Sequence, residues 1–165
     1  MQFRSAQPED AATIASVLTA ASADLRERGL ALWSAAEVAP EAVAPHVHAG
    51  LYHLGLEGAV VVGVFRLQSS DPSFWPQIPE GTSLYLHKLA VLPERQGHGL
   101  AHLLLQHAVD ITRVQGRRFL RLDCMGGRPR LRAVYERFGF RHHSQMVLSG
   151  QAFERFELDV DAMRA

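Results

Sequence analysis

The chain has 165 residues, of which 47% are hydrophobic and 21% are charged, and its formal net charge is zero. That length suits one domain with a well-buried core, and the neutral balance argues against a protein that binds nucleic acid by neutralising many phosphates. No apolar run approaches the roughly 20 residues that a membrane-spanning helix needs, so we expect no membrane partner. The lone cysteine, Cys124, excludes an internal disulfide, and the N-terminus lacks a signal-peptide layout. Both features predict a cytoplasmic location.

The first part of the chain predicts a strand, helices and a hairpin. A short strand at 3–7 is followed by a helix whose apolar residues recur at helical spacing as far as Leu25. The alanine-rich stretch 33–50, which proline interrupts twice, predicts one or two short helices. Residues 51–68 form two β-like runs around a Glu57–Gly58 turn, which predicts a hairpin.

The second part of the chain interleaves strands and helices. The sequence predicts a loop at 69–81, a strand at 83–92, and a glycine turn with its helix at 93–113. A second strand and helix follow at 117–125 and 130–138, and two closing strands at 140–148 and 151–160. Because these elements do not alternate strictly, a mixed α/β sheet covered by helices fits better than a doubly wound parallel sheet. We expect a single domain over 1–165.

The stretch "RQGHGLAHLLL", residues 95–105, places two glycines one residue apart before an apolar helical pattern. It fits either an ordinary strand-to-helix turn or a phosphate-binding loop, because helix N-termini carry unpaired N–H groups and a partial positive charge. A dinucleotide fingerprint does not fit, since His102 stands where its third glycine belongs. A Walker loop is absent because no Gly-Lys-Ser/Thr follows.

Three segments together resemble the Gcn5-related N-acetyltransferase (GNAT) family. "QGHGLA" at 96–101 matches the family signature Gln/Arg-x-x-Gly-x-Gly/Ala, and "LAVLPERQ" at 89–96 is similar to its strand-to-loop lead-in. "LRAVYERFGF" at 131–140 is similar to its late helix. The predicted strand order also resembles that fold, which implies a central mixed, mostly antiparallel sheet flanked by helices.

The resemblance implies acetyl-CoA as the cosubstrate. It assigns the pantetheine arm and an oxyanion N–H to the backbone of Leu89, Ala90 and Val91, and the pyrophosphate to Gln96, Gly97, His98, Gly99, Leu100 and Ala101. The family usually has an asparagine seven residues before its late-helix tyrosine, and here that position is Arg128. An arginine there could pair with a phosphate instead.

The chemistry of acetyl transfer needs a neutral amine, an oxyanion donor and a proton for the departing thiolate. By the resemblance, Tyr135 occupies the position of the general acid. The structural alternative is that Tyr135 is only packed on the apolar face of its helix.

The strand before the glycine loop supplies the candidate base. "YLHKLAV" at 85–91 is similar to the arylalkylamine branch of the family, which makes His87 the base, acting through water, and Tyr85 a group that orients water or substrate. The alternative is a histidine that only bonds a neighbour at the sheet surface. Period-two alternation would place both side chains on one face with Leu89 and Val91.

Together these features predict an enzyme that moves an acetyl group from acetyl-CoA to the primary amine of a small molecule by direct attack in a ternary complex. A protein N-terminus or lysine is the alternative acceptor. A non-catalytic acyl-CoA-binding module is the alternative from another class, because Arg128 replaces the asparagine and the strand carries no carboxylate base.

Acceptor specificity is expected in the covering segments 24–50 and 69–81. There Trp33, Phe74 and Trp75 would either line an apolar amine pocket or anchor their loops, with Phe74–Trp75 looking exposed. By analogy with the fold, the chain could form a homodimer.

Neither the cysteine nor the histidines predict a further reactive site. A covalent role for Cys124 is disfavoured because the family transfers the acetyl group directly and a lone strand cysteine is usually a core residue. His98 and His102 would share a helix face, but no acidic residue joins them at the spacing of a zinc site. We therefore expect no metal.

Overall fold

The computed structural model describes residues 1–164, which contain seven strands and five α-helices. The strands are β1 (Gln2–Ser5), β2 (Tyr52–Glu57), β3 (Val60–Gln68), β4 (Ser83–Val91), β5 (Phe119–Met125), β6 (Arg141–Leu148) and β7 (Gln151–Asp159). The helices are α1 (Ala11–Glu27), α2 (Ala35–Val38), α3 (Pro40–His48), α4 (Leu100–Val114) and α5 (Pro129–Phe138). This is the predicted order. Within the described range, no helix combines the length and apolar composition needed to cross a bilayer.

The strands hydrogen-bond in the order β1-β2-β3-β4-β5-β7-β6. β4 and β5 run parallel, whereas the β1–β2, β2–β3, β5–β7 and β6–β7 pairs are antiparallel. The mixed, mostly antiparallel sheet with its flanking helices confirms the predicted fold class. β7 lies between β5 and β6, an order that hydrophobic periodicity does not reveal.

The chain divides into two compact units, and β3, β4 and α4 each contribute residues to both. The first unit comprises Met1–Arg66 and Lys88–Leu104, so it holds the end of β4, the glycine loop and the first turn of α4. The second comprises Leu67–His87 and residues 105–164, so it holds the start of β4 with β5, α5, β6 and β7. The single domain over 1–165 stays a prediction.

In the first unit, α1 buries the apolar stripe that its periodicity predicted, including Ile14 and Leu18. The Asp10 carboxylate fixes the start of this helix. It accepts hydrogen bonds from the Gln7 N–H (2.7 Å) and from both terminal nitrogens of Arg4 (2.7 and 2.9 Å). The bidentate bond from Arg4 lowers the pKa of Asp10, so this carboxylate stays charged and bound over the neutral range.

The first turn of α4 is positioned by close packing on glycine. A Cβ built on Gly63 in β3 would lie 2.6 Å from Cδ1 of Leu104 and 3.2 Å from the carbonyl oxygen of Ala90. Leu104 is fully buried and cannot swing aside. Only glycine at 63 lets the helix approach the sheet this closely.

In the second unit, the start of β4 pairs with β5 from Ser83–Phe119 to Leu86–Leu122. The loop between β3 and β4 is held by Trp75, which is 2% exposed. The guanidinium group of Arg121 lies 5.4 Å from the centroid of its ring, and that of Arg155 lies 5.0 Å away. The expectation that this tryptophan is exposed is therefore wrong, because two buried arginines cover its faces.

We predict that Gly63→Ala lowers the free energy of unfolding by about 1–3 kcal/mol, because the added methyl group forces Leu104 from a packed position. Urea denaturation of Gly63→Ala, Leu104→Ala and the double variant measures this. The two changes should couple by more than about 0.5 kcal/mol, since they act on one contact.

The control pair combines Gly63→Ala with Leu18→Ala, which truncates another fully buried leucine of the same unit. Those effects should add. Additivity in the Gly63–Leu104 pair as well would contradict the packing argument.

Candidate active site

The glycine loop of the first unit connects a 3-10 turn, Pro93–Arg95, to α4. Gly97 and Gly99 have φ angles of +79° and +76°, in the left-handed region that other residues rarely adopt. A Cβ built on either glycine would meet no atom within 4 Å. The glycines are therefore needed for backbone conformation, and the space beside them is open to a ligand.

Backbone N–H groups are available at this end of α4. The helix begins with a hydrogen bond from the Leu103 N–H to the Gly99 carbonyl (3.2 Å), so the N–H groups of Leu100 and Ala101 lie ahead of the first intrahelical bond. Together with the helix dipole, such groups favour a bound anion such as a phosphate.

Side chains of the first unit hold the loop in place. Gln96 accepts a hydrogen bond from Nη2 of Arg28 (3.1 Å) and donates to the Val91 carbonyl (3.4 Å). Nδ1 of His98 lies 2.9 Å from the Gln96 carbonyl. His98 thus precedes the helix, and the expectation that it shares a helix face with His102 is wrong.

Lys88 interrupts β4 with a φ of +54°, a rare value for a residue with a side chain. Period-two alternation requires extended backbone at every residue. The expected common face of four side chains therefore does not hold past Lys88. The Lys88 ammonium lies 3.5 Å from the Glu37 carboxylate and 4.9 Å from the ring centroid of Trp33. This places Trp33 against Lys88, and its role towards an acceptor stays a prediction.

In the second unit, His87 lies between two carboxylates. Its Nε2 is 2.8 Å from Oδ2 of Asp71, and its Nδ1 is 4.0 Å from Oδ1 of Asp123. The side chain of His87 is 15% exposed, that of Asp71 5% and that of Asp123 11%, so solvent screens the interactions between them little. The two carboxylates thus face the two ring nitrogens of His87.

The three aromatic candidates of the second unit have different surroundings. The Phe74 ring is partly exposed, with its centroid 6.3 Å from that of His87 and 4.9 Å from that of Phe153. Trp75 and Tyr85 are buried, with ring centroids 6.4 Å apart. Phe74 is thus placed beside the candidate base, whereas the burial of Trp75 fits the role of a loop anchor.

The candidate acid, Tyr135, is 7% exposed on α5, and its ring contacts Phe140 and Phe156. Burial, with the nearby Cys124 and Asp123, raises the pKa of its phenol well above the usual value. The hydroxyl therefore stays protonated at neutral pH. The packed ring agrees with the structural alternative, and the role of Tyr135 as the general acid stays a prediction.

Arg128 stands at the start of α5 and lines a pocket at the end of β5. Its Nη2 lies 3.4 Å from the Met125 sulfur. The other lining residues are Cys124, Gly127, Pro129, Arg132 and Glu154. Arg128 and Arg132 bring positive charge to this pocket, whereas Glu154 brings negative charge and Arg132 is paired with Glu136 at 2.8 Å.

Sequence reasoning missed Asp71 and assigned no site role to Asp123. Asp71 lies in a loop 16 residues before His87, and no spacing rule joins a loop residue to a strand residue at that separation. With His87, they form a set whose ligand atoms all lie within 4.8 Å of one another, the kind of group that could hold a metal ion. The prediction of no metal is based on the spacing of His98 and His102 along the sequence, which says nothing about this set of residues.

Comparison with known proteins gives a consistent result. The family model described as "Acetyltransferase (GNAT) family" matches residues 16–140. The uncharacterized N-acetyltransferase YesJ of Bacillus subtilis is 28% identical over 162 residues, which cover 93% of this chain and 87% of YesJ.

Solved structures agree in fold. A GNAT-family acetyltransferase from Listeria monocytogenes gives a TM-score of 0.78 at 20% identity, covering 96% of this chain and 94% of that one. The structure of yncA from Salmonella typhimurium, with its cofactor acetyl-CoA, gives 0.73 at 20% identity, covering 98% and 94%.

We predict that Cys124 reacts slowly with iodoacetamide in the native protein. Burial and neighbouring carboxylates raise the pKa of its thiol to about 11, and only the thiolate reacts. At pH 8 this leaves roughly 200-fold less thiolate than an ordinary thiol of pKa about 8.5 provides.

Mass spectrometry of the alkylated protein over a pH series measures the rate, with urea-unfolded protein as the control. The native rate should rise about tenfold per pH unit towards pH 11. Rapid stoichiometric labelling of the native protein at pH 8 would show a reactive thiol and contradict the prediction that Cys124 is a slowly reacting core residue.

Proposed function

The chain belongs to the GNAT family of acetyltransferases, and we propose that it transfers the acetyl group of acetyl-CoA to the primary amine of a small molecule by direct attack. The observation that carries the proposal is the open glycine loop, where two left-handed glycines precede the first turn of α4. The acetyl-CoA in yncA, which shares the fold, supports the choice of cosubstrate.

In the first unit, the loop residues 96–101 hold the pyrophosphate. Backbone N–H groups ahead of the first hydrogen bond of α4 supply donors, and the two glycines let the phosphates approach without a Cβ in the way. The backbone of Leu89, Ala90 and Val91 takes the pantetheine arm. In the second unit, Arg128 contributes a positive charge for a phosphate.

Acetyl-CoA supplies an acetyl thioester, and the second unit supplies the proton transfers. His87 takes a proton from the incoming amine, because an alkylammonium with a pKa near 10.4 cannot attack while charged. Tyr135 protonates the departing thiolate. The role of Tyr85 in orienting water or substrate stays a prediction.

The surroundings of Tyr135 determine when it acts. Because burial disfavours the phenolate, Tyr135 gives up its proton only as negative charge develops on sulfur, and it regains one from the still protonated nitrogen of the new amide. A buried phenol therefore suits a proton relay within one turnover better than a lasting phenolate.

We predict that Tyr135→Phe lowers kcat by about 100-fold or more, a usual contribution for a general acid, while the Kd for acetyl-CoA changes less than about twofold. Thiol release measures kcat, and calorimetric titration measures Kd. The control is Tyr52→Phe, which removes a hydroxyl from another buried tyrosine, in the first unit. Equal losses of turnover and binding in Tyr135→Phe would remove its role as the acid.

We predict that Gly99→Glu abolishes acetyl-CoA binding measured by calorimetry, because it places bulk and negative charge where the pyrophosphate is held. Gly116→Glu is the matched control, since Gly116 has a φ of +67° and equally open surroundings but follows the last turn of α4. NAD serves as the comparison ligand.

Binding that is lost in Gly99→Glu and kept in Gly116→Glu supports the loop assignment. A screen of small primary amines against a peptide N-terminus and a peptide lysine, read by thiol release, then tests the acceptor class. No binding of acetyl-CoA by the folded wild-type chain would overturn the proposed function.

A further inference from the structure

The arrangement around His87 specifies more than a base. Asp71 faces one ring nitrogen and Asp123 faces the other, and all three side chains belong to the second unit. Resting on the proposed function, we propose that the acceptor enters as a primary alkylammonium, bound between His87 and Asp123, with Asp71 as a positioning residue that fixes the tautomer of the histidine.

Asp71 is held in place by its own loop. Its Oδ1 accepts from the Phe74 N–H (3.3 Å), and its carbonyl accepts from the Trp75 N–H (2.8 Å). Its Oδ2 contacts Nε2 of His87 at 2.8 Å. An ionised carboxylate only accepts, so Nε2 carries the hydrogen and the lone pair of the neutral ring lies on Nδ1, towards Asp123.

The separation of the two acceptor atoms on that side is compatible with a bridging nitrogen. Nδ1 of His87 and Oδ1 of Asp123 are 4.0 Å apart, which is too far for a direct hydrogen bond. An ammonium nitrogen that donates along tetrahedral N–H directions to two acceptors, each about 2.9 Å away, holds them roughly 4.7 Å apart. Tetrahedral zinc, with ligands about 2.0–2.1 Å away, holds two of them about 3.3 Å apart. The observed 4.0 Å lies between these two separations, and the apolar Phe74 ring beside His87 favours an amine with a carbon chain.

The residues beside His87 suit the carbon chain of an amine. The partly exposed Phe74 ring beside His87 offers an apolar surface for a carbon chain.

The step balances as follows. The ammonium gives one proton to Nδ1 of His87, and the resulting imidazolium lies between two carboxylates. The nitrogen lone pair forms the bond to the acetyl carbon, the carbon–sulfur bond breaks, and Tyr135 protonates the thiolate. The new amide nitrogen returns a proton to the Tyr135 oxygen, and His87 releases its proton to solvent. The products are the acetamide, the free thiol of CoA and one proton.

The test that does not depend on turnover is long-range nitrogen–proton correlation NMR on the full chain with labelled histidine, using His87→Gln to assign the ring. We expect the Nε2–H tautomer in the wild type and in Asp110→Asn, a control at an exposed aspartate. We expect a mixture of tautomers in Asp71→Asn, whose side-chain amide can also donate. An unchanged tautomer in Asp71→Asn would overturn the positioning role.

The ligand probe is n-butylammonium, with 1-butanol as its neutral counterpart. We expect n-butylammonium to shift the Nδ1 resonance of His87 in the wild type, and Asp123→Asn to weaken that response at least about tenfold, as loss of a charge-assisted bond implies. The ammonium site would be overturned if 1-butanol gave an equal response or if n-butylammonium gave none. It would also be overturned if the ring responded to Zn²⁺ and not to n-butylammonium. Because acetyl-CoA is absent from this measurement, its result is separate from that of the calorimetric test.

Kinetics with an amine that the screen identifies provide a second readout. Asp123→Asn should raise the KM for that amine at least about tenfold and leave the KM for acetyl-CoA within about twofold. Asp71→Asn should mainly lower kcat. Equal changes in all constants for both variants would indicate a structural role and overturn the assignment.

Discussion

The burial of Trp75 is the constraint on which the chemistry of the second unit depends. Arg121 and Arg155 cover its ring, and each cation–π contact of this kind contributes about 0.5–2 kcal/mol, more when water is excluded. The tryptophan closes a turn onto the Asp71 carbonyl, four residues earlier. The same packing that anchors the loop therefore also fixes the carboxylate that orients His87.

In the first unit, backbone conformation has the corresponding role. Two left-handed glycines bring the chain from the 3-10 turn to α4 and leave their outer faces open. Gly63 lets the first turn of that helix approach the sheet, where Leu104 is fully buried. A loop that offers backbone N–H groups to an anion is effective only if its helix is fixed, and close packing provides this.

Charge is balanced over the chain but concentrated locally. The sequence has equal numbers of acidic and basic residues, whereas His87 has a carboxylate on each side and the pocket at Arg128 contains two arginines and Glu154. The carboxylates beside His87 suit the proposed cationic amine, and the arginines suit the phosphates of the proposed acetyl-CoA. Net charge argues against nucleic acid as a partner but cannot indicate such local separation.

The sequence by itself determined the order of the elements, the mixed α/β class and the glycine loop, because periodicity, turn residues and a contiguous motif are all local signals. Through resemblance to the family, it also indicated His87 as the candidate base and Tyr135 as the candidate acid. Only the tertiary structure placed β7 between β5 and β6, buried Trp75, broke the alternation of β4 at Lys88 and brought Asp71 and Asp123 to the two sides of His87. Those features depend on contacts between residues far apart in the chain, which no local pattern encodes.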